Sequence, residues 1–303
     1  MTKIARDALA FAARVRMSQN RLFLLVEGRE RDVRFYDKLL GASTVLEAHG
    51  YAIQLGEQIA INGVAAGGKR HLEKLLDLYR RKGLLRQSGP SGDHIVAFAL
   101  DKDFDDLLGK RRISDHVVYT KHADVDAEIF ARCRPRKTYA TALSLDSKDA
   151  KAFSRHVQDP VHELARIWEG WIELCVRTEA CGARCSIKTS APSMVNSGIY
   201  GSSDASTFRS LEAEMRSRSK RSSGRDKQIQ GRYRAAVDRG ESRYFVKGKA
   251  VPGFLAHEAQ KFFASKRPVA SKSFRDSVTS VALGTIRFEG TWLRHWLDPL
   301  ERL

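Results

Sequence analysis

Ile95-Val96-Ala97-Phe98-Ala99-Leu100-Asp101-Lys102-Asp103-Phe104-Asp105-Asp106 is an unbroken apolar run that ends in four acids. Six apolar residues in a row, with no polar alternation, read as a strand buried on both faces, as in a parallel sheet. Two other stretches share this design. Leu22-Phe23-Leu24-Leu25-Val26 closes on Glu27-Gly28, and Val117-Val118-Tyr119-Thr120 is followed by Asp124-Val125-Asp126-Ala127-Glu128. In open α/β sheets a ligand sits beyond the carboxyl ends of the strands. Here those ends carry acids. Oxygen donors gathered without His or Cys suit a hard cation such as magnesium or manganese rather than zinc.

Outward from these strands, the first part of the chain alternates strand and helix. A helical pattern with Val33, Tyr36, Leu39 and Leu40 follows Gly28, and Tyr51 to Leu55 is a short strand. The Gly-rich loop Asn62 to Gly68 leads into a helix over Lys69 to Arg81, with Leu72, Leu75, Leu76 and Tyr79 on one face. Gly83 to Gly92 reads as a loop. The order β-α-β-α-β-β-α predicts an α/β fold with a mostly parallel sheet flanked by helices over residues 1–135. Ile4 to Val15 is basic and amphipathic, but it carries Asp7 and runs almost straight into a strand, so it reads as a structural helix rather than a transit peptide.

Residues 136–303 read as a basic, mainly helical region for substrate or partner binding. His156 to Arg177 predicts one long helix, with Trp168 and Trp171 in the core. Arg209 to Arg234 is polar, with nine basic and three acidic side chains, and Ser217 to Gly224 reads as a mobile loop. Arg216, Arg218, Lys220 and Arg221, with Lys249 further on, form a candidate nucleic-acid contact; a solvated basic face is the plain alternative. Tyr244 to Lys249 resembles a short strand and turn, and helices are expected over Phe254 to Ala264 and Thr291 to Leu300.

Charge points the same way. The 303 residues hold 53 Lys and Arg against 36 Asp and Glu, net +17. Residues 1–150 carry +6 of this and residues 151–303 carry +11. Such a field attracts polyanions, and nucleic acid is the first partner to expect. No apolar run approaches the ~20 residues needed to cross a bilayer, so no membrane role is expected. Four cysteines are too few for a disulfide scaffold, and Cys133, Cys175, Cys181 and Cys185 lack zinc-ribbon spacing; they read as free thiols in a reducing cytoplasm.

Taken together, Val26-Glu27-Gly28, Asp32 and Phe35-Tyr36, then Asp101-Lys102-Asp103, resemble the TOPRIM domain. That family places a Glu after its first strand and an Asp-x-Asp after a later one. More closely, the chain resembles small TOPRIM proteins related to the overcoming-lysogenization-defect nucleases. Gly68-Lys69, Phe104-Asp105, Thr120 and Asp124 add to the likeness, which covers roughly the first 135 residues; Val246 to Lys249 matches loosely. One departure is Asp126, where the family has Glu; Glu128 is a candidate substitute.

The resemblance implies a divalent-metal-dependent nuclease, associated in its relatives with defence against phage and in some of them held inactive by a separate ATPase. Glu27, Asp101, Asp103, Asp105, Asp124 and Asp126 are then the candidate ligands of Mg2+ or Mn2+. Glu27, Asp101, Asp103 and Lys69 are the candidate catalytic residues. Two carboxylates 4 Å apart repel by about 4 kcal/mol at an effective dielectric of 20, so a crowded acid site invites a cation. Lys69, at a helix start, either meets a phosphate or is a surface lysine; Asp32 either caps a helix or touches metal. The chain has no Gly-x4-Gly-Lys-Ser/Thr, so ATP-driven control would come from another protein. Expected partners are therefore DNA, RNA or tRNA, a regulatory ATPase and a second copy of the chain as homodimer. A topoisomerase or primase would need further domains, and no tyrosine stands out as a strand-transfer nucleophile. The rival is a non-catalytic nucleic-acid-binding or regulatory module on the same scaffold, which the Asp126 departure favours.

Overall fold

The computed structural model describes residues 6–28, 30–183, 192–196, 199–201, 203–220, 223–263 and 272–303. The chain packs as two compact units. The first comprises Met1–Asp101, Arg112–Lys121 and Arg287–Leu303; the second comprises Lys102–Arg111 and His122–Ile286. This division departs from a boundary at residue 135. The helix after the third acidic stretch belongs to the second unit, and the C-terminal segment returns to the first.

The first unit is the α/β sheet that the sequence predicts. Its elements are β1 (Arg6–Asp7), α1 (Ala8–Arg16), β2 (Leu22–Val26), α2 (Glu30–Leu40), α3 (Thr44–His49), β3 (Tyr51–Leu55), β4 (Ile59–Ala60), α4 (Gly68–Lys82), β5 (Arg86–Gly89) and β6 (Gly92–Leu100). In the same unit lie β7 (Val117–Tyr119) and, at the C-terminus, the final helix Arg294–Glu301. β2 pairs in parallel with β3 on one side and β6 on the other. The far edge of β6 is shared: β5 runs antiparallel along its first half and β7 parallel along its last three residues.

β2 leads by way of α2 to β3 on one side, and β3 returns by way of α4 to β6 on the other. Right-handed crossovers in opposite directions put α2 and α4 on opposite faces. Packing agrees. Phe23 and Leu25 of β2 meet Phe98 and Leu100 of β6, Phe11 and Val15 of α1, and Leu72, Leu75, Leu76 and Tyr79 of α4 in one buried cluster. Alternation turns Leu22, Leu24 and Val26 to the other face. Asp7, which argued against a transit peptide, caps α1 by accepting from the N–H groups of Leu9 and Ala10.

Gly83 to Gly92 is not a plain loop. Arg86–Gly89 forms an edge strand whose exposed, polar residues give no hydrophobic signal. The short helix α3, capped by the Ser43 hydroxyl, is likewise an addition.

The second unit is helical: α5 (Asp105–Leu108), α6 (Val125–Arg132), α7 (Pro135–Ala142), α8 (Ser147–His156), α9 (Pro160–Ile167), α10 (Glu169–Cys181), α11 (Ala205–Ser217), α12 (Ser223–Asp238), α13 (Val251–Phe263) and α14 (Lys272–Thr285). The single helix expected over His156 to Arg177 is instead two. Asp159 caps α9, Pro160 takes its first position, and Trp168 breaks the path with φ −101° and ψ 12° before α10 begins. Trp168 itself is buried, as expected of a core residue. The strand and turn expected at Tyr244 to Lys249 is a pair of 3-10 turns, Ser242–Phe245 and Gly248–Ala250.

Ser217 to Gly224 is not one mobile loop in its described part. Ser217 closes α11, and Ser223 opens α12; Arg221 lies outside the described residues. A buried arginine pins the three helices here. Arg177 of α10 donates from Nε and Nη2 to the two oxygens of Asp226 on α12, each at 2.7 Å. Its Nη1 reaches Glu212 of α11 at 2.7 Å and Glu173 at 3.1 Å. Burial alone would favour a neutral side chain, but these acids hold Arg177 charged, and the Arg177 guanidinium in turn lowers the Asp226 pKa. No helix among the described residues is long and apolar enough to cross a membrane. Cys133, Cys175 and Cys181 are buried free thiols, and Cys185 lies outside the described residues.

Candidate functional site

In the first unit the candidates collect at a switch point. β2 departs towards β3 and β6 towards β7, so the chains leaving these neighbours diverge and open a crevice at their carboxyl ends. Val26 pairs with Ala99, so Glu27 and Asp101 both emerge at that edge, and both are half-buried. The start of α4 joins them. Gly67 and Gly68 have φ of 89° and 73°, a region closed to most side chains. A Cβ on Gly68 would lie 4.0 Å from Glu27 Oε1. No side chain caps α4, leaving its first N–H groups to the crevice side. Lys69 is half-buried and donates from Nζ to the carbonyl of Asp101. It is thus more than a surface lysine.

Asp32 completes the turn after β2. Its Oδ2 accepts from the N–H of Gly28 at 2.8 Å. A Cβ at Gly28 would come within 2.5 to 2.7 Å of that carboxylate, so a larger residue there would displace the Asp32 side chain from its bond to the Gly28 N–H.

In the second unit, Asp103 sits at φ 48°, unusual for a non-glycine residue. Its N–H donates to the carbonyl of Ala123 at 2.9 Å, and its carboxylate pairs with Lys247 Nζ at 2.8 Å. Asp105 is buried at the start of α5. Asp124 caps α6: Oδ1 accepts from Ala127 N–H at 2.8 Å and from Gly248 N–H at 3.0 Å. Burial raises its pKa to about 6 despite these bonds, with Asp126 adding repulsion. Asp126 is buried in the first turn of α6. Gly248 has no room for a side chain, since a Cβ would lie 2.0 Å from Ala127 N and 2.2 Å from Asp126 C.

Glu128 is fully buried and engaged elsewhere. It accepts from His122 N–H at 2.7 Å, lies 3.0 Å from His122 Nδ1 and 3.9 Å from Arg132. Burial pushes its pKa up, but His122 and Arg132 outweigh this and hold it low.

Sequence reasoning missed three residues of this region. Lys247 is the partner of Asp103, and Gly248 is the close neighbour of α6; the loose match at Val246 to Lys249 was the only pointer. Lys102, between Asp101 and Asp103, is buried. Its ammonium lies 4.7 Å from the Tyr244 ring centre and 3.8 Å from Asp106. Burial lowers its pKa to about 8.

Magnesium ordinarily takes one or two carboxylates and completes its shell with water and substrate phosphate. Glu27 and Asp101, at the ends of neighbouring strands, are the candidates for such a pair in the first unit. Among the described residues, no three His, Cys, Asp or Glu side chains gather as a group able to hold a metal ion.

Two of the five candidate nucleic-acid residues, Arg216 and Arg218, are tied to acids. Arg216 lies 3.1 Å from Glu212 and 3.7 Å from Asp226, and Arg218 lies 3.3 Å from Glu214. Arg225 and Arg232 donate to the last carbonyls of α5, those of Leu108 and Leu107. Lys220 and Lys249 are exposed. No family model and no curated protein matches the chain.

Proposed function

We propose that this protein is a divalent-metal-dependent nuclease of TOPRIM type, working in the cytoplasm on DNA or RNA as part of phage defence. The observation that carries the reading is the meeting of Glu27, Asp101, Gly68 and Lys69 at the switch point between β2 and β6. Magnesium or manganese bound there would supply charge neutralisation at the phosphorus and a water of lowered pKa. Glu27 accepts the proton of the attacking water. The uncapped N–H groups of α4 face the phosphate charge. Lys69 holds the Asp101 main chain in place. The resemblance assigns Asp103 and Asp126 to the same metal chemistry, and it suggests a separate ATPase as regulator.

The second reading is a binding or regulatory module without catalysis. The Lys247 ammonium on Asp103 favours it, because that carboxylate already has a cation. Incubation with manganese or magnesium and a panel of duplex DNA, total RNA and tRNA separates the two. The nuclease reading expects metal-dependent cleavage that Glu27→Gln and Asp101→Asn each abolish. Cleavage unchanged in both variants overturns it, and binding without cleavage by the parent supports the module.

A further inference from the structure

Among the described residues, positive charge without an ion pair gathers at the start of α7. An open cavity of about 700 Å3 lies between α7 and α8, lined by Cys133, Arg134, Pro135, Arg136, Lys137, Ala140, Ser147 and Ala150. Its size is that of small-ligand pockets. Three of the lining residues are cations and none is an acid.

Their commitments differ from those of the other basic segment. Arg216 and Arg218 are each paired with glutamate, whereas Arg134, Arg136 and Lys137 form no ion pair among the described residues. Arg136 Nη2 donates to the Ser147 hydroxyl at 2.5 Å, which turns the guanidinium along the cavity rim. The nearest acids in sequence are engaged elsewhere: Glu128 with His122 and Arg132, and Asp146 as the cap of α8, accepting from Asp149 N–H at 2.8 Å. No side chain caps α7, and Pro135 takes its first position, so the N–H groups of Arg136 and Lys137 add to the positive end. The rest of the lining is Pro135, Ala140, Ala150 and the buried Cys133, an apolar wall against which a flat ring can lie.

We propose that this cavity binds the phosphate monoester of a nucleotide, either free or at the 5′ end of a strand. Arg134, Arg136 and Lys137 take the phosphate, and the half-buried apolar pair Pro135 and Ala140 takes the base. A monoester carries up to two charges near neutral pH, more than the single charge of an internal diester. Three cations and a helix start therefore select a terminal phosphate over chain phosphates. The inference does not rest on the nuclease reading, since none of these residues belongs to the crevice between β2 and β6.

Calorimetric titration of the full chain, in low salt with EDTA to prevent cleavage, tests it. The probes are adenosine 5′-monophosphate, adenosine, and one oligonucleotide carrying either a 5′-phosphate or a 5′-hydroxyl. At least one phosphorylated probe should bind tenfold or more tightly than its hydroxyl counterpart. Arg134→Ala/Arg136→Ala/Lys137→Ala should remove that advantage, Arg136→Lys should keep most of it, and Arg216→Ser/Arg218→Ser should leave it unchanged. A tighter phosphorylated oligonucleotide identifies a strand end, and equal binding of the mononucleotide identifies a free nucleotide. If the triple variant loses its far-UV circular dichroism, the exposed pair Arg136→Ser/Lys137→Ser takes its place. Equal binding of phosphate and hydroxyl probes by the parent overturns the proposal. So does a folded variant that keeps the full phosphate advantage.

Discussion

Asp124 and Glu128, compared with Glu27 and Asp101, show that an acid just past a strand can serve two different ends. Asp124 and Glu128 are buried, and their oxygens accept from the N–H groups of Ala127, Gly248 and His122. They are part of the fold of the helical unit. Glu27 and Asp101 are half-buried at the open edge of the sheet unit, beside a helix start that no side chain caps. The first pair holds loops to a helix, while the second pair faces the place where a ligand of an α/β sheet sits. An acid cluster in sequence therefore overstates the number of candidate ligands, because some of its members are engaged by the fold, as Asp124 is in capping α6.

The largest stability loss is expected at Arg177→Ala, which leaves Asp226, Glu173 and Glu212 without their shared cation. Breaking a buried pair from one side costs about 3–5 kcal/mol, read by urea unfolding. Wild-type stability in that variant would mean that the network contributes nothing to the helical unit.

Asp124→Ala should cost about 2–4 kcal/mol, combining a lost helix cap with an unsatisfied N–H at Gly248. The same denaturant titration reads it, and a loss below 0.5 kcal/mol, the usual range of a surface change, would remove Asp124 from the fold.

A smaller effect is expected from acid. Arg177 holds the Asp226 pKa below its usual range, so the pair stabilises the fold above about pH 3.9. That stabilisation is lost as pH falls through the depressed folded-state value. Asp226→Asn should therefore destabilise at pH 7 and lose less than the parent between pH 4 and 2. Parallel pH profiles of the two proteins would contradict the assignment.

The smallest change belongs to the sheet edge. Glu27→Gln and Asp101→Asn, at half-buried positions, should each shift metal-free stability by no more than about 1 kcal/mol, in either direction. A loss of several kcal/mol in thermal unfolding would make these residues structural, like Asp124.

The sheet was legible because its central strands are buried on both faces. Leu22 to Val26 and Ile95 to Leu100 are short apolar runs with β-branched and aromatic members, which favours strand over buried helix, and Tyr51 to Leu55 is short as well. Helix α4 was legible from its apolar stripe and the glycines ahead of it. Arg86–Gly89 was hidden because an edge strand needs no apolar residues to pair. The break at Trp168 was hidden because α9 and α10 carry similar apolar faces on either side of one residue with non-helical geometry. At the site, Glu27, Asp101 and Lys69 could be named from strand ends and a helix start, which are local signals. The pairing of Asp103 with Lys247 and the seating of Gly248 on α6 join segments more than 120 residues apart, and no periodicity encodes them. Arg177 looked like one of many basic residues; only its burial among three acids separates it from the others.

Manganese titration of the full chain, followed by the loss of the free-ion electron paramagnetic resonance signal, tests the central claim most directly. Glu27 and Asp101 as metal ligands predict saturable binding by the parent. Glu27→Gln and Asp101→Asn should each weaken it at least tenfold, and Arg216→Ser/Arg218→Ser should leave it unchanged. Binding of equal affinity in the parent and both acid variants, or no saturable binding by the parent, would contradict the account.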